Sequence, residues 1–158
     1  MPAINFKNVG VLKYGETGSS STVSASLRPI GVKTPLEFDK ANNNLFKMHT
    51  NVRNQVADNL RNLILTNWGE RLGLYFFGAN LRPLLTEYTS KTQFDQEAAV
   101  RINTAVTKWM PFLELIEFDS AVDYENNEFL GIVRLYITYG IPALNVASDQ
   151  LEVVLAVV

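Results

Sequence analysis

The feature of this sequence that most constrains its fold is a change of hydrophobic period at Pro111. Before Pro111, apolar residues recur at spacings of three and four, the period of an amphipathic helix. After it, apolar side chains alternate with a period of about two, which is typical of strands. A chain of 158 residues is near the size of one domain, so we expect helices followed by strands around a single core.

Three helices are predicted before this change. The first covers residues 51–67. Thr50 or Asn51 can cap its first turn, and Gly69 follows where a left-handed residue would end it. The second is short and covers about residues 80–88. The third covers about residues 95–110, and Pro111 ends it.

Three strands are predicted after it. They cover about residues 112–119, 128–140 and 151–158, and the turn residues at 123–127 indicate a hairpin between the first two. Both faces of the second strand are apolar, which favours cover on each side. The predicted fold class is α+β, with about three helices packed on a small, mostly antiparallel sheet formed by the C-terminal strands.

The N-terminal part of the chain has a different composition. Residues 1–35 are rich in Gly, Ser and Thr, which predicts an extended N-terminal arm or surface loop. Short strands or a partly ordered leader are the alternatives at this stage. Residues 36–158 are interpreted as a single domain.

The last predicted strand is almost free of charge, because Glu152 is its one ionisable residue. At a free edge such a strand would promote aggregation. Either it lies central or tightly covered in the protein's own sheet, or strands of other subunits complete the sheet. On the second reading its apolar residues are candidate partner-binding positions: Leu151, Val153, Val154, Leu155 and Val157.

Composition excludes several classes of protein. The chain has no cysteine, no secretory signal pattern and no apolar run of about 18 residues, so we expect a soluble protein without disulfides. Residues 1–111 carry 13 Lys+Arg against 8 Asp+Glu, whereas residues 112–158 carry Arg134 against 8 acids. This asymmetry suggests that the chain contacts or steers other subunits, and a chance distribution of charge is the alternative. The basic residues are scattered, so no nucleic-acid partner is expected.

The sequence offers little catalytic chemistry. His49 is the only histidine, and we expect it to have a surface or capping role. The glycines match no phosphate-binding spacing, so no cofactor or metal is expected. Carboxylates such as Glu70 and Glu87 could in principle form a glycosidase pair, which keeps a lysozyme-like cell-wall glycosidase as an alternative. We nevertheless predict that the protein is not an enzyme.

Residues 60–88, LRNLILTNWGERLGLYFFGANLRPLLTEY, carry the most specific pattern in the chain. A helix with a leucine-rich end, the triplet Gly69-Glu70-Arg71, Gly78 and a short leucine-rich helix follow one another in fixed order. This order resembles the GPW/gene-25-like family of baseplate wedge proteins of contractile-tailed phages, to which the TssE subunit of type VI secretion is similar. With the lead-in from Arg28, the resemblance covers about 130 residues.

The resemblance implies a structural subunit at the junction of baseplate and tail sheath: a wedge component and sheath initiator whose sheet receives extended arms by β-strand augmentation. Its implied partners are other baseplate wedge proteins and tail sheath subunits, with tube or hub proteins as further candidates. Several copies would surround the tail axis in the virion after assembly in the host cytoplasm, without nucleic acid or membrane. A small regulatory binding module is the remaining alternative, because an anti-adaptor shares the resemblance.

The Gly69-Glu70-Arg71 triplet has a physical explanation of its own. Gly69 can adopt the backbone conformation that breaks the helix, and Glu70 and Arg71 then offer an acceptor and a bidentate donor to fix the following loop. An internal clamp and a direct partner contact are both open. Gly78 belongs to the same predicted structural motif.

A second motif departs from the family pattern. The resemblance implies a Glu-Pro-Arg motif after the last helix, which joins the core helical bundle of the wedge, but this chain has Met110, Pro111 and Phe112 there. The proline is retained and both charged residues are replaced by apolar ones. We therefore predict that the equivalent contact, where it forms, is hydrophobic.

Overall fold

The computed structural model describes residues 28–39, 45–87, 90–125 and 128–156, with the backbone alone at 123–125 and 128–131. These residues form three helices and two antiparallel sheets, which confirms the predicted α+β class. In the described ranges, none of the helices has the length and apolarity needed to cross a membrane.

The first helix, α1, spans Val52–Leu65. Its predicted cap is present, because the Asn51 side chain accepts a hydrogen bond of 2.9 Å from the backbone N–H of Arg53. The helix ends at Thr66, whose extended backbone stops it two residues before the predicted end. Its apolar stripe is buried in the core: Val56, Leu60, Leu63 and Ile64.

The two other helices differ in extent from the prediction. Helix α2 spans only Leu84–Glu87, since Asn80 has a positive φ of 52° and Pro83 can stand only at a helix start. Helix α3 spans Lys91–Trp109 and begins four residues before the predicted start. Its extra turn is hydrogen-bonded from Phe94 N–H to the Ser90 carbonyl at 3.1 Å and buries the Phe94 ring.

The main sheet contains β3 (Glu114–Glu125), β4 (Glu128–Ile141) and β5 (Val146–Ala156), in that order across the sheet. Strand β3 continues six residues beyond its predicted end, through a register shift between Asp123 and Tyr124. Strand β5 begins five residues before its predicted start, because the left-handed Asn145 closes a tight connection after a 3₁₀ turn.

One face of the sheet forms most of the core, together with α1 and α3. Its buried side chains come mainly from the two later strands: Val133, Leu135, Ile137, Tyr139, Ile141, Leu151, Val153 and Leu155. The opposite face is open among the described residues, with Arg134 exposed and Val154 52% exposed. The described residues thus cover one face of the sheet, because α1 and α3 pack on the same side, and the prediction of cover on the second face stays a prediction.

A small ribbon precedes α1, formed by β1 (Gly31–Val32) and β2 (Met48–His49). It is attached to α1 through Asp58, which accepts hydrogen bonds from Thr34 N–H at 2.9 Å and from His49 Nε2 at 2.7 Å. His49 is thus mostly buried against a carboxylate, and its predicted surface or capping role is wrong. Residues 1–27 lie outside the described residues, so the N-terminal arm and the boundary at residue 35 stay predictions.

Candidate functional site

The structure brings two of the predicted motifs together at one end of the molecule. The α1–α2 loop, residues 66–83, lies beside the α3–β3 junction, residues 110–113. Between them is a cleft of about 270 Å³, which we call the junction cleft. Its lining comes from α1, the loop and the junction: Asn59, Asn62, Leu63, Arg71, Phe77, Trp109, Met110 and Phe112.

Backbone hydrogen bonds determine the shape of the α1–α2 loop. Gly69 N–H donates to the Tyr75 carbonyl at 2.8 Å, and Ala79 N–H donates to the Leu63 carbonyl at 3.0 Å. Gly78 has a φ of 107°, and a Cβ at this position would lie 2.1 Å from the Thr66 carbonyl oxygen. Gly78 is therefore required by both conformation and space.

Glu70 fixes the start of the loop rather than the part that follows it. Its two carboxylate oxygens accept hydrogen bonds of 2.8 Å from the backbone and side-chain N–H groups of Asn67. These hydrogen bonds hold the pKa of Glu70 below its ordinary value. This geometry fits the internal clamp, one of the two roles left open for the triplet.

Arg71 fixes the second half of the loop by stacking. Its guanidinium carbon lies 3.7 Å from the centre of the Phe77 ring, and that ring lies 5.2 Å from the ring of Trp109. Lys108 Nζ lies 4.9 Å from the Trp109 ring centre. These contacts join the loop to the end of α3 through cation–π and aromatic packing.

The three residues of the α3–β3 junction have different environments. Met110 is only 6% exposed and belongs to the core. Leu113 N–H donates to the Met110 carbonyl at 3.0 Å, which closes a turn that turns Pro111 outward. Phe112 is 46% exposed at the rim of the junction cleft. Pro111 and Phe112 are therefore available to a partner, whereas Met110 is not.

The α1–α2 loop also exposes a set of large apolar side chains that the sequence pattern did not predict as a surface. We call this set the loop patch: Trp68, Leu72, Leu74, Tyr75 and Phe76. The sequence did contain a signal, because three glycines within ten residues interrupt the apolar segment and prevent a helix or strand that could bury it. Exposed apolar clusters of this kind mark interaction sites.

The predicted partner residues of β5 divide between the two faces of the strand. Leu151, Val153 and Leu155 are buried against the helices, so their side chains serve the core. Val154 lies on the open face, and Val157 lies outside the described residues. Among the described strands β5 pairs only with β4, which leaves its other backbone edge unpaired. Among the described strands β5 is therefore an edge strand, and its inner face is tightly covered as one of the two alternatives predicted.

A polar cluster joins β5 to the start of α1. Arg53 Nε donates to Asp149 Oδ2 at 2.7 Å, and the buried Tyr139 hydroxyl lies 3.4 Å from the same oxygen. Hydrogen bonding from Arg53 lowers the pKa of Asp149, although burial opposes the shift. Burial, together with Asp149, raises the pKa of Tyr139 to about 12. The cluster therefore holds β5 to α1.

Comparison with known proteins gives structural matches. No family model matches the sequence, and no curated protein matches it. The crystal structure of a tail lysozyme candidate from Geobacter sulfurreducens superposes with a TM-score of 0.55 at 18% identity, covering 71% of this chain and 96% of that one.

A chain of the six-fold symmetrised cryo-EM structure of the anti-feeding prophage baseplate superposes with a TM-score of 0.58 at 18% identity. The match covers 72% of this chain and 85% of that chain. At this level of identity the two likenesses show a shared fold, which this protein has in common with a baseplate component and a tail lysozyme candidate.

Proposed function

We propose that this protein is a structural, non-enzymatic subunit of a contractile-tail baseplate. The observation that carries the proposal is the unpaired outer edge of β5 among the described strands, on a fold shared with a chain of the anti-feeding prophage baseplate. The inner face of β5 is anchored in the core, so this edge is presented on a rigid support.

The proposed mode of action is β-strand augmentation. An extended arm of a tail sheath subunit would pair with the open edge of β5 (Val146–Ala156) and complete the sheet. Each added main-chain hydrogen bond contributes about 1 kcal/mol net, so several bonds share the load of contraction. The protein would thereby act as the sheath initiator at the junction of baseplate and sheath.

A second surface, formed by Phe112 and the loop patch, is available for attachment to the wedge. Phe112 and the loop patch lie at the end of the molecule where the two motifs meet, and they offer large apolar side chains. We assign this end to neighbouring wedge proteins. It takes the place of the Glu-Pro-Arg contact that the resemblance implies.

The proposed setting follows from this role. The protein would be present in several copies around the tail axis, in contact with wedge and sheath subunits and with tube or hub proteins. It would reside in the tail baseplate of the virion after assembly in the host cytoplasm, and it would need neither nucleic acid nor a membrane.

We also propose that the protein has no lytic activity. The Glu70 carboxylate is held ionised by Asn67, which supports a structural role for this residue. Turbidity of a peptidoglycan suspension should stay constant with the purified protein. Lysis that is lost in Glu70→Gln or Glu87→Gln would instead establish a glycosidase.

The augmentation proposal is tested by a matched pair of lysine substitutions. Val154→Lys alters the exposed face of β5, and Ile116→Lys alters an equally exposed position on β3, at the other edge of the sheet. In pull-downs with the sheath subunit of the same particle, we expect Val154→Lys to weaken capture about tenfold, the effect of one unfavourable charge at a strand interface. Equal capture by both variants and the unaltered protein would contradict the proposal.

A further inference from the structure

We infer that the junction cleft binds a carboxylate that stands next to an apolar side chain in a segment of another protein chain. This inference rests on the proposed baseplate function and specifies the chemistry of the wedge contact. The residue that takes the carboxylate is Arg71, and the surface that takes the apolar side chain is formed by Phe112 with Trp109.

Arg71 is the charged group of the cleft. Its guanidinium carbon lies 3.7 Å from the Phe77 ring centre, so one side of the group is covered by the aromatic ring. The ring accepts no conventional hydrogen bond, so the N–H donors of the planar fork still need an acceptor. Among the described residues, no carboxylate, carbonyl or hydroxyl oxygen accepts a hydrogen bond from Arg71, and the residue is exposed. The donors are thus held in place and available to a planar acceptor.

The remaining wall of the cleft determines what can accompany the carboxylate. No acidic residue lines the cleft, while the side chains of Asn59 and Asn62 line it and can donate hydrogen bonds. Phe112 is 46% exposed at the rim. A carboxylate alone would leave this ring in water, and an apolar group alone would cover Arg71 without an acceptor. A partner that supplies both groups satisfies the whole surface.

Two acids on the neighbouring elements are already engaged. Glu70 accepts two hydrogen bonds from Asn67, and Glu97 pairs with Arg101 at 3.0 Å. Neither carboxylate can turn to Arg71 without losing these contacts. No carboxylate of the described residues pairs with Arg71, so we assign the carboxylate to another chain, where a bidentate pair with arginine gives both affinity and orientation.

The first experiment measures binding directly. The ¹⁵N-labelled full chain is titrated with the capped peptide acetyl-Ala-Leu-Glu-Leu-Ala-amide and with its Gln counterpart. We expect saturable shifts of the Arg71 Nε–H and Trp109 indole signals with the Glu peptide, and about tenfold weaker binding of the Gln peptide, the loss expected for one charge-assisted hydrogen bond. Equal affinity of the two peptides, or no shift at Arg71, would overturn the inference.

Substitutions at Arg71 separate the effect of its positive charge from the effect of the planar guanidinium fork. Arg71→Gln should lose the preference for the Glu peptide, and Arg71→Lys should recover only part of it, because lysine lacks the planar fork. Arg82→Gln is the matched control, since Arg82 is an exposed arginine of the same loop that does not line the cleft. It should bind as the unaltered chain does. A loss of equal size in Arg82→Gln would overturn the assignment to Arg71.

Two further measurements follow. One identifies which chain supplies the carboxylate, and the other separates failure of this inference from failure of the proposed function. Sedimentation of the free chain should show a monomer, and an Arg71-dependent dimer would overturn the commitment to another protein. In assembled particles, Arg71→Gln should reduce incorporation at least threefold relative to Arg82→Gln, a modest effect for one interface arginine. Normal incorporation of Arg71→Gln would overturn the inference and leave the proposed function intact. Absence of the unaltered chain from particles would instead overturn the proposed function.

Discussion

The sheet and the α1–α2 loop use similar residues in opposite ways. In β4 and β5, alternate apolar side chains such as Leu135 and Val153 are buried against the helices. In the loop, backbone hydrogen bonds and glycines fix the chain, and Leu72 and Phe76 point outward. Apolar composition therefore does not decide burial by itself. The sheet supplies stability, and the loop supplies a surface whose shape depends on its backbone.

The largest effect should come from the glycine that closes the loop. In Gly78→Ala, the new Cβ would meet the Thr66 carbonyl oxygen at 2.1 Å with φ at 107°, so we expect a loss of about 4 kcal/mol in the free energy of unfolding. Gly73→Ala is the control, because a Cβ there meets nothing within 4 Å, and only the positive φ costs about 1 kcal/mol. Urea unfolding measures both. Equal losses would mean that the loop backbone adapts and is not the rigid element described.

The next test compares the two regions with one substitution. Leu135→Ala removes a fully buried side chain and should lower the free energy of unfolding by about 3 kcal/mol. Leu72→Ala removes a fully exposed one and should change it by less than about 0.5 kcal/mol. A large loss in Leu72→Ala would show that the loop patch is packed in the free protein, which would remove the contrast between the regions.

The attachment of the ribbon to α1 should depend on pH. Burial raises the pKa of Asp58, but hydrogen bonds from His49 and Thr34 outweigh it and leave the pKa below its ordinary value. A lowered carboxyl pKa stabilises the fold above the unfolded pKa, and this stabilisation is lost as pH falls below about 4. Asp58→Asn should cost about 2 kcal/mol at pH 7 and much less at pH 3. Thermal unfolding across this pH range checks the sign, and the same cost at both pH values would contradict it.

The smallest effect concerns the contact that joins the loop to α3. Phe77→Leu removes the ring between Arg71 and Trp109 and should cost about 1 kcal/mol. Phe76→Leu, at the neighbouring exposed ring, should leave the unfolding free energy unchanged within about 0.5 kcal/mol. Chemical denaturation distinguishes them. Equal stability of the two variants would show that the contact of Arg71 with the Phe77 ring does not stabilise the fold.

Much of the fold follows from sequence period and end signals. The switch at Pro111 predicts the order of helices and strands, and the polar pair Thr50 and Asn51 predicts a cap for α1, which Asn51 provides. The extent of β3 could not be predicted, because its last residues pair with β4 through a register shift between Asp123 and Tyr124 that the apolar alternation does not record. The start of β5 depends on the left-handed backbone of Asn145, which no apolar pattern records.

The candidate site was predicted only in part. The motifs around Gly69 and Pro111 were identified, but their proximity depends on how α3 packs, which a linear pattern does not contain. Glu70 bonds backward to Asn67 because the turn places both N–H groups within its reach. The burial of His49 could not be predicted either, because its partner Asp58 lies on another element. Asp58 is a buried polar residue of α1, and no sequence pattern links it to His49.

The most direct test of the account is hydrogen exchange of β5 with and without the sheath subunit. In the free chain, the outward amides of Val146–Ala156 should exchange rapidly, because they have no partner strand among the described residues. The sheath subunit should slow their exchange at least tenfold while the outer amides of β3 stay unchanged. Unchanged exchange in β5 when the sheath subunit is bound would contradict augmentation at this edge.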